Sequence, residues 1–182
     1  MHENIIRFCN RPFSGVEKMD EVLINNWNET VPNDGLVFHL GDFAWGGFQQ
    51  WKKIRERLNG EIILIKGNHD RKNGPQNDID AYKLFKFVTS QMFIEIEGRK
   101  TYLNHFPFLA YNGVYRSPDD MVWQLFGHVH SGPFSNEGKD MARLSMLFPT
   151  QYDVGVDNNN FRPISWNEVN DIITKQVVSK IT

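Results

Sequence analysis

Four short blocks of this chain carry side chains able to do chemistry: Gly41-Asp42, Gly67-Asn68-His69-Asp70, His105 and Gly127-His128-Val129-His130. Carboxylate, carboxamide and imidazole donors without thiolate suit manganese, iron(II) or zinc, and the set is richer than one mononuclear site requires. Asp42 can bridge two cations because a carboxylate has two oxygens. Asn68 offers a neutral carbonyl oxygen, and His105 and His128 offer imidazole nitrogens. Two metals about 3.5–4 Å apart would clamp a phosphate, polarise phosphorus, lower the pKa of a bound water and stabilise the attacking and leaving oxygens. The residues alone point to a dinuclear hydrolase.

The surrounding sequence says which elements must hold these blocks. Leu36-Val37-Phe38-His39-Leu40 follows the turn signal Asn33-Asp34-Gly35, and its unbroken apolar character predicts a buried parallel strand delivering Asp42 at its end. Phe48, Trp51, Ile54 and Leu58 have helical spacing and Gly60 is a stop. Ile62-Ile63-Leu64-Ile65 is then a second buried strand, ending at Gly67. Such a strand, helix, strand unit places both blocks beyond the carboxyl ends of parallel strands, where open α/β sheets bind ligands. Gly41 and Gly67 permit sharp turns and close backbone approach.

Ser14-Gly15-Val16-Glu17 reads as a capping box opening a helix over 15–30, with Val16, Met19, Val22, Leu23 and Trp27 on one face. Ser165-Trp166-Asn167-Glu168 repeats the pattern ahead of Val169, Ile172, Ile173 and Val177. A shorter helix is expected over 78–86, and 93–97 with 101–104 around Gly98 reads as a hairpin running into His105. Trp123-Gln124-Leu125-Phe126 is a further strand. If the extended chain continues, His128 and His130 lie two apart and face the same side.

At 182 residues, with 40% hydrophobic content and a formal charge of −2, the chain reads as one domain with a real core. The balance excludes wholesale disorder and a broad basic nucleic-acid footprint, though not a local grip on a phosphodiester. Cys9 is the single cysteine, so no internal disulfide framework exists, and it reads as a small buried side chain in a reducing compartment. Without a leader pattern or a run near ~20 apolar residues, the expectation is a cytoplasmic chain with no membrane partner.

Taken in order, the blocks resemble the calcineurin-like metallophosphoesterases, whose signature runs D-x-H, G-D, G-N-H-D or G-N-H-E, H, and G-H-x-H. Gly41-Asp42, Gly67 to Asp70, His105 in Asn104-His105-Phe106-Pro107 and Gly127 to His130 match the last four elements over nearly the whole chain. A single block is weak, but the ordered set is specific. Asn4-Ile5-Ile6-Arg7-Phe8, Val154-Gly155-Val156-Asp157 and Asn160-Phe161-Arg162-Pro163 also match a bacterial and phage-like branch.

The resemblance implies an α/β fold, a layered α/β/β/α sandwich with mixed central sheets. It implies hydrolysis of a phosphoester, with phosphodiesters favoured, by metal-activated water. Asp42 would bridge the metals, Asn68, His105 and His128 would complete the second site, and His130 would belong to the first. His69 would be the uncoordinated imidazole that bonds the phosphate and assists the leaving group, with Asp70 orienting it. Manganese is the expected ion, with iron, zinc or nickel able to substitute. Nucleotides, cyclic nucleotides, nucleic-acid ends and small phosphodiesters all qualify as substrate, specificity residing in loops around 71–80 and 111–120.

The first signature element is absent. Met1-His2-Glu3-Asn4-Ile5-Ile6 aligns with the second half of D-x-H-F-x-H-x-N-I-I, so the expectation is a chain begun at an internal methionine, lacking a central strand and two ligands of the first site. That site would keep Asp42 and His130, with His2 or water as substitute, while the second keeps four protein ligands. A rival reading is a non-catalytic binding member of the same fold with a degenerate metal site. Intact His69 and Asp70 argue against it, because a scaffold has no need of a leaving-group acid. A hydrolase of a non-phosphate bond is a third reading, disfavoured by the G-N-H-D block. Bland roles are expected elsewhere: His39 packed within its strand, Phe43, Trp45 and Phe48 in the core rather than forming a stacking wall, Asp157 bonding a loop, and Arg71 solvated.

Overall fold

The computed structural model describes residues 3–73, 78–117, 120–133 and 144–181. His2 and parts of the 71–80 and 111–120 loops lie outside the described residues. Helices α1 (Glu3–Phe8) and α2 (Val16–Thr30) lead into β1 (Leu36–His39), α3 (Gly47–Arg55) and β2 (Glu61–Ile65). Then come α4 (Asp70–Asn73), α5 (Asp78–Leu84), β3 (Phe87–Thr89), the hairpin β4 (Gln91–Ile96) and β5 (Arg99–Asn104), β6 (Trp123–Phe126), β7 (Gln151–Asp153) and α6 (Trp166–Ile181). The fold is mixed α/β with two open sheets. The first is all parallel in the order β1-β2-β3, and the second runs β4-β5-β6-β7, antiparallel only at its hairpin.

Period-two alternation along β2 explains how the first sheet is held. Ile62 and Leu64 face Trp27 of α2 and Val31 just after it, Trp51 and Ile54 of α3, and Ala81 of α5 with Phe85 just after it. Ile63 and Ile65 face the opposite core, shared with Leu103 of β5 and Trp123 and Leu125 of β6. The α6 stripe Val169, Ile173 and Val177 enters this second core too. Coil covers part of the other face of the second sheet, over β5, β6 and β7. Gln124 Nε2 donates to Phe106 O at 2.9 Å, Gln151 Nε2 donates to Phe108 O at 2.9 Å, and Tyr102 packs edge-on against Phe108 and Tyr111.

Two expectations need correction. The strand ending before Asp42 is parallel, as its apolar run predicts, but it is half-buried rather than buried, and Leu36 is 50% exposed. It is an edge strand: among the described residues no strand pairs with its outer side. The Ser14 capping box does not form either. Gly15 occupies the N-cap of α2 without a side-chain cap, its carbonyl accepting from Met19 N at 3.0 Å.

At α6 the same motif does form. Ser165 Oγ accepts from Glu168 N at 3.3 Å, and Glu168 Oε2 accepts from Ser165 N at 2.9 Å and Ser165 Oγ at 2.7 Å. Arg162 Nη2 donates to Glu168 Oε1 at 2.6 Å. These contacts, Arg162 first, lower the Glu168 pKa from 4.5 to about 2. Ser165→Ala is expected to cost about 1 kcal/mol in urea unfolding at pH 7, and Ser14→Ala only a few tenths. Because the folded-state pKa is depressed, Glu168's contribution is present above pH 4.5 and is lost as pH falls through about 2. The Ser165→Ala penalty should shrink across that window.

Candidate metal centre

The loops leaving β1 and β2 are folded onto each other. Gly41 (φ 95°) and Asp42 (φ 56°) both occupy the left-handed region, which glycine enters freely and aspartate tolerates. The approach leaves no room for a Cβ: one on Gly67 would lie 2.2 Å from Asp42 Oδ1, and one on Gly41 would lie 2.5 Å from Gly67 N. Asp70 joins the two loops. Its buried carboxylate accepts from Asp42 N at 2.7 Å, Phe43 N at 2.8 Å and Gly67 N at 2.8 Å. Burial raises its pKa, against the three amides. These three bonds organise backbone. His69 is placed by its own amide, which donates to Asp42 Oδ1 at 2.9 Å.

His105 follows β5 and is almost fully buried. Nδ1 donates to Leu40 O at 2.7 Å, which turns Nε2 toward Asn68 Oδ1 at 3.0 Å and Asp42 Oδ2 at 3.3 Å. In the neutral tautomer fixed by that carbonyl, three lone-pair atoms converge, and a cation or proton among them relieves the repulsion. Burial opposes charge on His105, yet the Asp42 carboxylate and the Leu40 carbonyl hold its pKa above the ordinary value. Asp42 is held below its own, burial being outweighed by His105 and the His69 amide.

His128 completes the group: its ring centroid is 5.1 Å from that of His105, and Asp42, His105 and His128 present ligand atoms within 4.8 Å of one another. Asp42, Asn68, His105 and His128 thus arrive from the ends of β1, β2, β5 and β6. This oxygen and imidazole set fits a borderline divalent cation.

His130 does not join them. Val129 N donates to Gly127 O at 2.8 Å, closing a γ-turn over His128, and both His128 (φ 69°) and His130 (φ 49°) are left-handed. The extended chain expected to aim both imidazoles at one site is therefore absent. His130 instead meets Cys9 and Asp157. Its Nδ1 donates to Asp157 Oδ2 at 2.8 Å, and Arg11 clamps the same carboxylate through Nε at 2.7 Å and Nη2 at 2.8 Å. Burial opposes charge on His130, but Asp157 and Cys9 push its pKa up to about 10. A guanidinium already neutralising Asp157 disfavours a cation on that carboxylate, so these residues read as a network fixing the His130 ring. Asp42 and His130 are two donors, too few by themselves to hold the first of the two metals that the resemblance implies.

Other sequence expectations divide. His39 is a packed histidine: Nδ1 accepts from Gly41 N at 3.2 Å, and burial lowers its pKa to about 4. Phe43 lies in the core, but Trp45 lies in neither core cluster, its ring 5.2 Å from that of His69. Cys9 is buried as expected, while its place beside His130, and those of Arg11 and Asp157, had no signal in local spacing.

No protein-family profile matches the chain. It is 32% identical over 181 residues to the uncharacterized protein MJ1445 of Methanocaldococcus jannaschii, across 96% of this chain and 86% of that protein. It is 27% identical over 150 residues to the gene 66 protein of Mycobacterium phage D29, across 72% and 71% of the two chains. In three dimensions it is similar to AQ665, a protein of unknown function from Aquifex aeolicus, with a TM-score of 0.65, 25% identity, and 94% and 92% of the chains covered.

Gly67→Ala is expected to displace Asp42 and weaken Mn²⁺ binding about tenfold or more by calorimetric titration. Asp70→Asn, which turns an all-acceptor group into one with donors facing three amides, is expected to destabilise the fold by about 2–3 kcal/mol in urea unfolding.

Proposed function

The chain belongs to the family of the uncharacterized protein MJ1445, and we propose that it is a metal-dependent hydrolase of phosphoesters built on a metallophosphoesterase-like sandwich. One observation carries the reading. Asp42, Asn68, His105 and His128, the residues that the ordered motif set assigns to one metal, come together although they are spread over 87 residues of chain, Asn68 and Asp42 at His105 Nε2 and His128 with a ligand atom within 4.8 Å of those of Asp42 and His105. The two-sheet α/β architecture, with these residues at strand ends, supports it further.

A divalent cation held by these four residues, with manganese the expected ion, supplies Lewis acidity toward phosphoryl oxygens and water. The protein supplies placement. Asp70 fixes the two loops, and the Leu40 carbonyl fixes the His105 tautomer. His69 follows the ligand Asn68 and its amide donates to Asp42 Oδ1, which supports the role the resemblance gives its imidazole, serving the phosphate beside the centre. There His69 bonds a phosphoryl oxygen and passes a proton to the leaving oxygen. Water attacks phosphorus, the phosphorus–oxygen bond to the leaving group breaks, and the proton of the attacking water goes to solvent. Among the described residues no helix is long and apolar enough to cross a membrane.

The test is hydrolysis of bis-p-nitrophenyl phosphate with and without Mn²⁺. Metal-dependent turnover is expected, with His69→Ala lowering kcat by roughly 10²–10⁴-fold while Mn²⁺ affinity is kept. Turnover indifferent to metal or to His69 would overturn the assignment.

A further inference from the structure

The loop between β1 and α3 divides its aromatic residues. Phe43 and Ala44 are 6% and 3% exposed and belong to the core packed on the first sheet. Trp45, next in sequence, is only half-buried and belongs to neither core cluster. Its ring lies 5.2 Å from that of His69, with the planes 39° apart. Gly46 (φ 101°) and Gly47 (φ 71°) follow at once, so the backbone turns sharply into α3 and Trp45 stays on the loop beside the metal centre. A second ring, Phe106, is 43% exposed and sits 4.8 Å from His105 and 4.6 Å from His128, edge-on to both. Phe106, an apolar ring left open to water against the ligand imidazoles, and Trp45, half-buried beside His69, forgo part of the burial that the core gives their neighbours.

We infer that Trp45 is the platform of a subsite for a planar aromatic group on the substrate, and that the substrate class is nucleotides rather than aliphatic phosphoesters. The inference rests on the phosphoesterase reading for placing phosphate at the Asp42 centre. On that reading His69 faces the leaving oxygen, and a group attached to that oxygen comes within reach of the Trp45 ring, whose centroid is 5.2 Å from that of His69. A nucleoside offers the matching order: phosphate, sugar, then a flat base. Stacking on a tryptophan tolerates any base because each has a π face, so the subsite selects nucleotides as a class without reading sequence. Phe106 provides an apolar wall on the side of the ligand histidines.

Binding of AMP and of ribose 5-phosphate to the Mn²⁺-loaded chain, compared by calorimetry, tests this without requiring turnover. AMP is expected to bind roughly 5- to 100-fold more tightly in the wild type, with the ratio falling toward one in Trp45→Ala and largely restored in Trp45→Phe. AMP binding no tighter than ribose 5-phosphate, whether both bind or neither does, overturns the subsite. A preference that survives in a folded Trp45→Ala also overturns it. The bis-p-nitrophenyl phosphate assay separates the two readings. Metal-dependent hydrolysis without an AMP preference removes the subsite alone, whereas a Trp45-dependent preference without hydrolysis upholds the subsite and removes the phosphoesterase.

Discussion

The Asp70 carboxylate is the constraint from which the rest of the centre follows. Three amides from two loops converge on one buried carboxylate, and each such bond to a charged acceptor is worth more than one between neutral groups. Two of the three donors flank the side chain that matters: the amides of Asp42 and Phe43 fix the backbone on either side of the Asp42 Cα. The left-handed turn at Asp42, unfavourable for a residue with a Cβ, is stabilised by these bonds. Once the turn is fixed, the Asp42 carboxylate meets the His69 amide and His105 together, and the crossing at Gly41 and Gly67 is closed to any larger residue.

Much of this arrangement was legible in the sequence because it is local. Apolar runs ending in Gly-Asp and Gly-Asn-His-Asp mark strand ends, and the structure has β1 and β2 there, parallel and joined through α3. His105 follows the expected hairpin, and the Asp42, Asn68, His105 and His128 group assembles from those elements. What sequence could not give is long-range or conformational. A side chain 146 residues from Arg11 neutralises it, and nothing near either residue announces the pairing. The rule that residues two apart share a face failed at His128 and His130 because it assumes extended chain, and a γ-turn intervenes. Similarly, two Ser-x-x-Glu motifs look alike as text, but among the described residues only the second has an arginine holding its glutamate.

His130 illustrates how orientation can be built away from a centre. Asp157 is 2% exposed and Arg11 8%, so the pair that orients the imidazole is withdrawn from water while the histidine keeps 29% of its side chain open. The buried ion pair gives the carboxylate a partner for each oxygen, without which burying it would be costly. Arg11 also reaches Met19 of α2 through Nη1 at 3.2 Å, so the segment after α1, α2 and the loop after β7 are tied at one point.

The alternation along β2 has a consequence for accuracy as well as for packing. Ile62 and Leu64 belong to one core, Ile63 and Ile65 to the other, and the strand is paired on both edges. A slip of one residue would exchange every side chain between two differently shaped interiors. The strand therefore acts as a ruler clamped on both faces, and its end mark is Gly67. Asn68 and His69 inherit a position set by the four apolar side chains of the strand before them, so substitutions inside β2 should register first as misplacement of the centre and only later as loss of the fold.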